Sequence, residues 1–218
     1  AGITLTNLHF RDATGSHDFL KVQCRVGANP INPLLWNPGP CYAPLFVGGL
    51  SPASDITLDH IDIESRKAIL AEIRGTKSLM VANSRFVGGT VYGFFFNSAY
   101  LHQDSSFHQN QFMNSGTAGL SIFNSVNTLV SHNVFVNNHN DPQFPYCTNG
   151  ATPPACTGGK LAFYPGGQLY IADTGGHGNQ HVQILNNEVY MTPELLGRRS
   201  TVGSEITNGA GGAIQDVL

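Results

Sequence analysis

Charged side chains are scarce in this sequence of 218 residues, in which Lys, Arg, Asp and Glu together account for 11%. An average soluble protein carries roughly a quarter. The 11 basic and 14 acidic residues give a formal net charge of −3, and the basic residues form no cluster. Because nucleic-acid binding needs a positive surface that meets the phosphate backbone, we expect no nucleic-acid partner. The same deficit argues against binding to an anionic membrane surface.

Long apolar runs are absent as well. No segment approaches the ~18–20 consecutive apolar residues of a membrane span, and residues 1–10 lack the basic and apolar regions of a signal peptide. The 25 Gly and 12 Pro stay below the level typical of disordered chains, while 41% hydrophobic residues can fill a core. We therefore expect a soluble chain that folds as one domain over residues 1–218.

Cysteine is limited to four residues, which allow three pairings: Cys24, Cys41, Cys147 and Cys156. Each of the two close pairs brackets a segment rich in Pro, Asn and Gly, where a disulfide that closes a loop would sit. We predict bridges between Cys24 and Cys41 and between Cys147 and Cys156; four unpaired thiols are the alternative. Disulfides would place the protein in an oxidising compartment, either secreted, at the cell surface or in a periplasm.

One ten-residue phrase returns six times, beginning at Ile3, Ile56, Leu79, Ser105, Thr128 and Val182. The eighth residue of each phrase is an apolar landmark: Phe10, Ile63, Phe86, Phe112, Phe135 and Val189. Uninterrupted landmarks lie 23 or 26 residues apart, and the two longer steps contain the two segments bracketed by Cys. The chain therefore reads as coils of about 23 residues with insertions at about residues 11–44 and 138–166.

Each coil carries short segments of alternating polarity, separated by Asn, Ser and Gly turns, and no amphipathic run long enough for a helix. A second short strand follows the landmark, as in 71–73, 94–96 and 120–122. Such strands cannot bury their apolar faces alone, so we predict an all-β solenoid of about six or seven stacked coils. One inward column becomes polar along the chain and would form an asparagine stack: Leu8, Ile61, Ser84, Asn110, Asn133 and Asn187.

The turn phrases from Asn83 to Phe86 and from His132 to Phe135, the asparagine stack and the coil length resemble the right-handed parallel β-helix superfamily of pectate lyase and its relatives. The resemblance covers nearly the whole chain and implies that fold. It leaves the function open, because the fold supports lyases, glycoside hydrolases, epimerases, esterases, phage spikes and adhesins.

Corresponding positions of the second strands form a column that we expect to face outward: Phe46, Glu72, Phe95, Ser121 and Tyr170. Outward aromatic rings suit the apolar faces of sugar rings, and a few polar groups would fix the orientation of the sugar. We name Phe46, Phe95 and Tyr170 as substrate-binding residues, together with Trp36 of the first insertion. The alternative is that the insertions fold over this flank and bury it.

Charged residues concentrate between Asp59 and Lys77, where carboxylates on neighbouring strands could hold Ca²⁺ against an acidic sugar. The spacing of Glu72 and Lys77 is similar to that of chondroitinase B and alginate lyase. The resemblance implies a calcium ligand at Glu72 and a general base at Lys77, and Arg74 is a second candidate for β-elimination.

Asp59 and Asp62 complete the candidate metal ligands, and calcium is the one cofactor that the pattern suggests. The resemblance is partial, since the following coil lacks the family's catalytic Arg and its His-Gly, and Leu70 replaces a second carboxylate. A solvated turn with surface ion pairs is the alternative.

Most histidines are expected to act as hydrogen-bonding turn residues rather than as zinc ligands, because they share a column with Asn and Gln. That column contains Asn7, His60, Asn83, Gln109, His132 and Asn186. A nucleophile triad is not visible either.

We therefore expect an extracellular β-helix domain that binds or acts on a polysaccharide along one flank. The alternatives are a calcium-dependent lyase acting on a uronate polymer and a passive structural or adhesin stalk. Because strand pattern begins at Ile3, a solenoid end lies close to the start of the sequence. We expect the sequence to be a piece of a longer chain, whose ends are capped by a missing segment or by another chain.

Overall fold

The chain folds into stacked parallel strands in the computed structural model. The structure describes residues 2–11, 44–65, 69–89, 92–96, 100–138, 145–147, 161–163, 167–173, 178–191, 204–208 and 214–215. Within these ranges every regular element is a strand, as the alternating sequence pattern predicts. The described residues include no helix long and apolar enough to cross a membrane.

The strands are β1 (Ile3–Thr6), β2 (His9–Arg11), β3 (Leu45–Asp59), β4 (Asp62–Ser65), β5 (Ile69–Ala82), β6 (Arg85–Gly88), β7 (Tyr92–Phe96), β8 (His102–His108), β9 (Gln111–Met113), β10 (Ala118–Phe123), β11 (Ser125–Ser131), β12 (Val134–Val136), β13 (Pro145–Cys147), β14 (Leu161–Phe163), β15 (Gly167–Asp173), β16 (Asn179–Leu185), β17 (Glu188–Tyr190), β18 (Ser204–Asn208) and β19 (Ile214–Gln215).

Each coil passes through three faces, which we number in chain order. Face 1 contains β1, residues 53–59 of β3, residues 76–82 of β5, β8, β11, β16 and β19. Face 2 contains β2, β4, β6, β9, β12 and β17. Face 3 contains residues 45–48 of β3, residues 69–73 of β5, β7, β10, β15 and β18. All strand pairs on these faces are parallel, so the predicted parallel β-helix architecture is confirmed.

The predicted repeat is confirmed strand by strand in the hydrogen-bonded register. On face 1 the first residue of each phrase pairs with the first residue of the next, from Ile3 with Ile56 to Thr128 with Val182. On face 2 the landmarks pair in the same way, as Phe86 does with Phe112. The landmark rings of Phe86, Phe112 and Phe135 stack at centroid distances of 5.4 and 5.2 Å. This aromatic stack forms the centre of a fully buried core.

The predicted asparagine stack is present, and its hydrogen bonds run along the solenoid axis. The Oδ1 atom of Asn133 accepts bonds from the backbone N and from Nδ2 of Asn110, both at 3.0 Å. The Nδ2 atom of Asn133 donates to the Phe107 carbonyl and to Oδ1 of Asn187. Ser84 donates its backbone N–H to Asn110 in the same way. Each buried side-chain amide therefore forms hydrogen bonds with backbone groups that water cannot reach.

A second amide ladder lies at the corner between faces 2 and 3. Asn138 accepts from the Ser115 N–H at 3.0 Å and donates to the Phe112 carbonyl at 2.8 Å. Its backbone N–H and its side chain both donate to Oε1 of Gln168, whose Nε2 donates back to the Asn138 carbonyl at 2.7 Å. Gly119 leaves room for this ladder, because a Cβ there would lie 2.6 Å from Nδ2 of Asn138. The sequence pattern did not predict this ladder, since the second insertion separates Asn138 from Gln168.

The column of predicted turn residues adopts a left-handed backbone throughout. Its φ angles lie between 49° and 58° at Asn7, His60, Asn83, Gln109, His132 and Asn186. Asn is among the non-glycine residues that tolerate this region best, which explains its recurrence. Face 1 has a second, unpredicted left-handed column with φ between 53° and 64°: Asp55, Ser78, Asp104, Asn127 and His181. These residues fall between paired positions and bend face 1.

The predicted insertions fall almost entirely outside the described residues. Cys24, Cys41, Cys156 and Trp36 lie outside them, and for Cys147 the backbone alone is described. That backbone belongs to the antiparallel pair β13–β14, within the second insertion. Both disulfides therefore stay predictions.

Removing an amide from the inner ladder is expected to destabilise the fold. Asn133→Ala would leave the buried Asn110 N–H and the Phe107 carbonyl without their partners, at a cost of about 1–3 kcal/mol for each group. Urea unfolding should show the loss as a lower midpoint. Gln111→Ala, which removes an exposed amide on face 2, is the matched control and should change the midpoint little. Equal midpoints for the two variants would contradict a stabilising role for the ladder.

Candidate functional site

The aromatic column of face 3 is aligned as the sequence predicts, but it is not open. Glu72, Phe95, Ser121 and Tyr170 pair in register. Phe95 and Tyr170 are 4% and 5% exposed, and Glu72 and Ser121 are fully buried. Phe95 and Tyr170 are therefore buried rather than exposed, which corrects the expectation for these two residues. The alternative that the insertions cover this flank concerns residues outside the described ranges and stays a prediction. Phe46 shares the register, and its side chain lies outside the described residues.

Rings from outside the column explain part of this burial. Tyr92 stacks on Phe95 with a centroid distance of 4.8 Å and an interplanar angle of 3°. Phe123 packs edge-on against Phe95 at 5.6 Å and against Tyr170 at 5.4 Å. The outward side of face 3 therefore contains a second aromatic cluster, whose rings pack against one another.

The residues of the lyase hypothesis do not come together. Glu72 is buried on face 3, where its Oε1 accepts a 2.8 Å bond from Nε of Arg74. Lys77 is exposed on face 1, beyond a bend at Gly75, where φ is +64°. Arg74 is therefore held as the partner of Glu72, on the opposite side of that bend from Lys77.

The expected calcium site is not assembled either. Asp59 ends the face-1 segment of β3 and Asp62 begins β4 on face 2, whereas Glu72 is on face 3. Over the part of the chain that the structure describes, no three His, Cys, Asp or Glu side chains are grouped so as to hold a metal ion. The physical reason is the turn of the coil, which separates residues that are close in sequence onto different faces.

Asp59 lies at the corner between faces 1 and 2, beside two turn residues. Its carboxylate accepts a 2.8 Å bond from Nδ2 of Asn83 and lies 2.9 Å from Nδ1 of His60. The hydrogen bonds from Asn83 and His60 lower the pKa of Asp59 below its ordinary value. Asp59 is therefore an anion at neutral pH that is oriented by its neighbours.

Asp62 is the centre of an ion-pair cluster on face 2. Partial burial alone would raise the pKa of Asp62, but hydrogen bonds from Arg85, Arg11 and His9 lower it below its ordinary value. Their nitrogen atoms lie 2.9, 3.3 and 3.5 Å from the carboxylate. Arg85 also reaches Glu64 at 3.4 Å. The cluster joins three successive coils of face 2, and Asp62 is used there for ion pairs with side chains of the neighbouring coils.

We define the corner strip as the left-handed turn residues Asn7, His60, Asn83, Gln109, His132 and Asn186. All of them are exposed, and they follow one another along the solenoid axis at about the strand spacing of 4.8 Å. One neighbouring pair is in side-chain contact, since Nδ2 of Asn186 lies 3.4 Å from Nε2 of His132. The strip is a row of hydrogen-bond donors and acceptors.

Face 2 has two outward columns after the strip: the nearer one contains Asp62, Arg85, Gln111, Val134 and Glu188, and the farther one contains most of the apolar side chains. Val87, Met113, Val134 and Val136 are half-buried, and Tyr190 is exposed at the end of the row. The phenol of Tyr190 donates a 2.6 Å bond to Glu188, which raises the pKa of Tyr190. This surface was not predicted from the sequence. The signal that marks these residues as outward is that they alternate with the buried landmarks.

Comparison with known families and proteins gives one match. The model of a family described as "right handed beta helix region" matches residues 39–189. Neither the curated proteins nor the solved structures include a match to this chain.

The Asp62 cluster predicts a specific dependence of stability on pH. Because the folded-state pKa of Asp62 is lowered, its stabilising effect is present above the unfolded pKa of about 3.9 and is lost as the pH falls through the folded value. Asp62→Asn should therefore lower the free energy of unfolding at pH 7 by about 1–2 kcal/mol. The difference from the wild type should shrink as the pH falls below the unfolded value of about 3.9.

Thermal unfolding, measured at pH 7 and at an acidic pH below the unfolded pKa of Asp62, tests this expectation. Asp55→Asn removes an exposed carboxylate on face 1 and serves as the control, with little change at either pH. A deficit for Asp62→Asn that is the same at both pH values would contradict the electrostatic explanation.

Proposed function

The chain belongs to the right-handed β-helix family, and from this premise we propose that it is an extracellular domain that binds a polysaccharide along the corner strip and the adjoining part of face 2. The observation that carries the proposal is the uninterrupted row of exposed amide and imidazole side chains in the strip. An extended polymer can lie along such a row and meet a similar hydrogen-bonding group at each coil.

The geometry of the strip suits an uncharged, hydroxyl-rich ligand. Asn, Gln and neutral His each offer both donors and acceptors, and sugar hydroxyls need both. Each side chain of the strip extends from a left-handed bend in the backbone. Backbone hydrogen bonds to the neighbouring coil hold this bend in place, such as that from the Asn83 N–H to the His108 carbonyl at 3.2 Å. A row that is ordered before binding loses less conformational entropy when the ligand binds.

The farther outward column of face 2 adds apolar contact, on the other side of the column that contains Arg85 and Gln111. Val87, Met113 and Val136 present half-buried surface, and Tyr190 presents an exposed ring. Sugar-binding sites combine apolar surface, which packs against the faces of the rings, with a few oriented polar groups. The exposed surface beside the strip therefore offers both kinds of contact that the buried aromatic column of face 3 was expected to supply.

We propose binding rather than lyase chemistry because the expected calcium ligand Glu72 is buried against Arg74, on a different face from Lys77. The extracellular location is part of the same proposal. It is supported by the Cys pairs of the two insertions, which suit an oxidising compartment.

Binding is tested by removing side chains from the strip while keeping its backbone. Gln109→Gly combined with His132→Gly should weaken binding about tenfold, because each lost hydrogen bond contributes about 0.5–1.5 kcal/mol and glycine accepts the left-handed backbone. Asp104→Gly combined with Asn127→Gly makes the same backbone change in the other left-handed column and should leave binding unchanged. A glycan array identifies the polymer, and affinity electrophoresis in that polymer measures the effect.

A wild-type protein that binds no glycan on the array would favour the passive stalk instead. Equal binding by the two double variants would show that the polymer binds elsewhere.

The lyase alternative has a separate test. The wild-type protein, incubated with a uronate polymer and Ca²⁺, should produce no rise in the ultraviolet absorbance of unsaturated uronate. A rise that Lys77→Ala abolishes would replace the binding proposal with catalysis by β-elimination.

A further inference from the structure

The corner strip keeps the same step from each coil to the next. The backbone N–H groups of its first five members donate to the carbonyl that ends the next face-1 strand, over distances of 3.1–3.3 Å. A second backbone bond joins successive turns, as from the Gln111 N–H to the Ser84 carbonyl at 2.8 Å. Both bonds are also present across the two insertions, as the bond from the His132 N–H to the Leu185 carbonyl shows. The strip therefore advances by about the strand spacing of 4.8 Å at every coil, whatever length of chain separates its members.

A straight row with this spacing favours a straight polymer whose repeating unit has a similar length. Chains of β-1,4-linked glucose, mannose, xylose or N-acetylglucosamine meet this requirement, because both linkage bonds of each ring are equatorial and the chain extends as a flat ribbon. One sugar residue of such a ribbon is nearly as long as the step between two strands. Chains of α-1,4-linked glucose have an axial bond at every linkage, so they curve into a helix that would leave the row after a few residues.

We propose that the polymer bound at the corner strip is an uncharged glycan of β-1,4-linked pyranose rings, which lies along the solenoid axis with one ring at each coil. This inference rests on the proposed function and adds the linkage and the charge of the ligand. The hydrogen-bonding groups of the strip, the surface beside it and the distribution of charge around it support the proposal.

The side chains of the strip suit the alternating edges of such a ribbon. Successive rings are turned over, so one edge of a hexose chain presents ring hydroxyls and hydroxymethyl groups in turn. The amides of Asn83 and Gln109 each offer donors and an acceptor, and the imidazole of His132 offers one of each in its neutral form. Every member of the strip is therefore able to bind either kind of edge, and the ribbon needs no particular register along the row.

The nearer outward column of face 2 offers a surface for the faces of the rings. In the coils of Gln109 and His132 this column contains Gln111, which is exposed, and Val134, which is half-buried. When the substituents of a pyranose ring are equatorial, its two faces consist of C–H groups. These faces pack well against the Val134 methyl groups and the Gln111 methylene groups. A ribbon with one edge on the strip would therefore rest its ring faces on this column.

The charges beside the strip disfavour an acidic polymer. Asp59 lies at the corner, and the nearer outward column contains the carboxylates of Asp62 and Glu188. The guanidinium of Arg85 in the same column donates to Asp62 at 2.9 Å, and Glu188 accepts from the Tyr190 phenol at 2.6 Å. A uronate chain would meet like charge at three positions and would have to compete with Asp62 for Arg85. An uncharged chain has neither cost.

The experiment measures the affinity of the full chain for oligosaccharides of two to five residues by isothermal titration calorimetry. One set contains the β-1,4-linked oligomers of glucose, mannose, xylose and N-acetylglucosamine, a second contains α-1,4-linked glucose, and a third contains uronates. At least one β-linked sugar should bind about threefold more tightly for each added residue, because each residue contacts one more coil. The α-linked and uronate pentasaccharides should bind at least tenfold more weakly.

Variants of the strip test whether this dependence on length arises there. Gln109→Gly combined with His132→Gly should remove most of the increase in affinity between two and five residues, because two adjacent coils lose their contact with the ligand. Asp104→Gly combined with Asn127→Gly makes the same backbone change in the other left-handed column and should keep the wild-type increase. Circular dichroism checks that the variants fold. The comparison of linkages uses the wild type alone, so it decides the proposal even if a variant is unfolded.

The possible failures of this inference and of the proposed function are distinguishable. Tighter binding of α-linked or uronate oligosaccharides that the strip variant weakens would overturn the inference and leave the proposed function standing. An affinity that does not rise beyond two residues would also overturn it, since the ligand would then contact a single coil. Binding that both double variants weaken equally would place the polymer away from the strip. A wild type that binds no oligosaccharide would contradict both proposals.

Discussion

The buried amide ladder is the constraint on which the rest of this structure depends. A coil that turns sharply at three corners leaves backbone N–H and carbonyl groups inside the molecule, where each must find a partner. Asn110 and Asn133 supply those partners from the side chain, at distances of 2.9–3.0 Å, and each amide needs its counterpart one coil away. The ladder thus requires each coil to return to the same position at this corner, although the step from one member to the next is 26, 23 or 54 residues.

Insertions are tolerated where the ladder can be closed again. Both insertions begin at the end of face 2, after β2 and after β12. The chain returns to the solenoid on face 3, at β3 and at β15. At the second of these, Asn138 and Gln168 stand on the two sides of the insertion and exchange hydrogen bonds of 2.7–3.1 Å. The reciprocal bonds hold the chain in register across the 30 residues that separate them. A long segment can be added at this corner because it does not alter the stack beneath it.

Among the described residues the charges lie on the outer side of the coils, where Glu72 is nevertheless buried, and the core inside the coils is uncharged. The cluster around Asp62 and Arg85 joins coils on face 2, and Asp59 is oriented by the turn beside it. Elsewhere the surface relies on Asn, Gln, Ser and His, which hydrate well without net charge. This explains how a chain with 11% charged residues can expose a long polar corner, and it leaves that corner suited to neutral, hydroxyl-rich polymers more than to ionic ones.

The sequence by itself determined the strands, their register and the asparagine stack, because a solenoid repeats one set of contacts and a period of about 23 residues specifies which side chains meet. Only the tertiary structure decided what is open. Phe95 shares an outward column with Tyr170, yet Tyr92 and Phe123 cover its ring from positions outside that column. Side chains close in sequence were likewise separated onto different faces by the corners. The repeat period indicates which residues stack on one another. Whether a stacked residue is exposed depends on neighbours that lie outside its column.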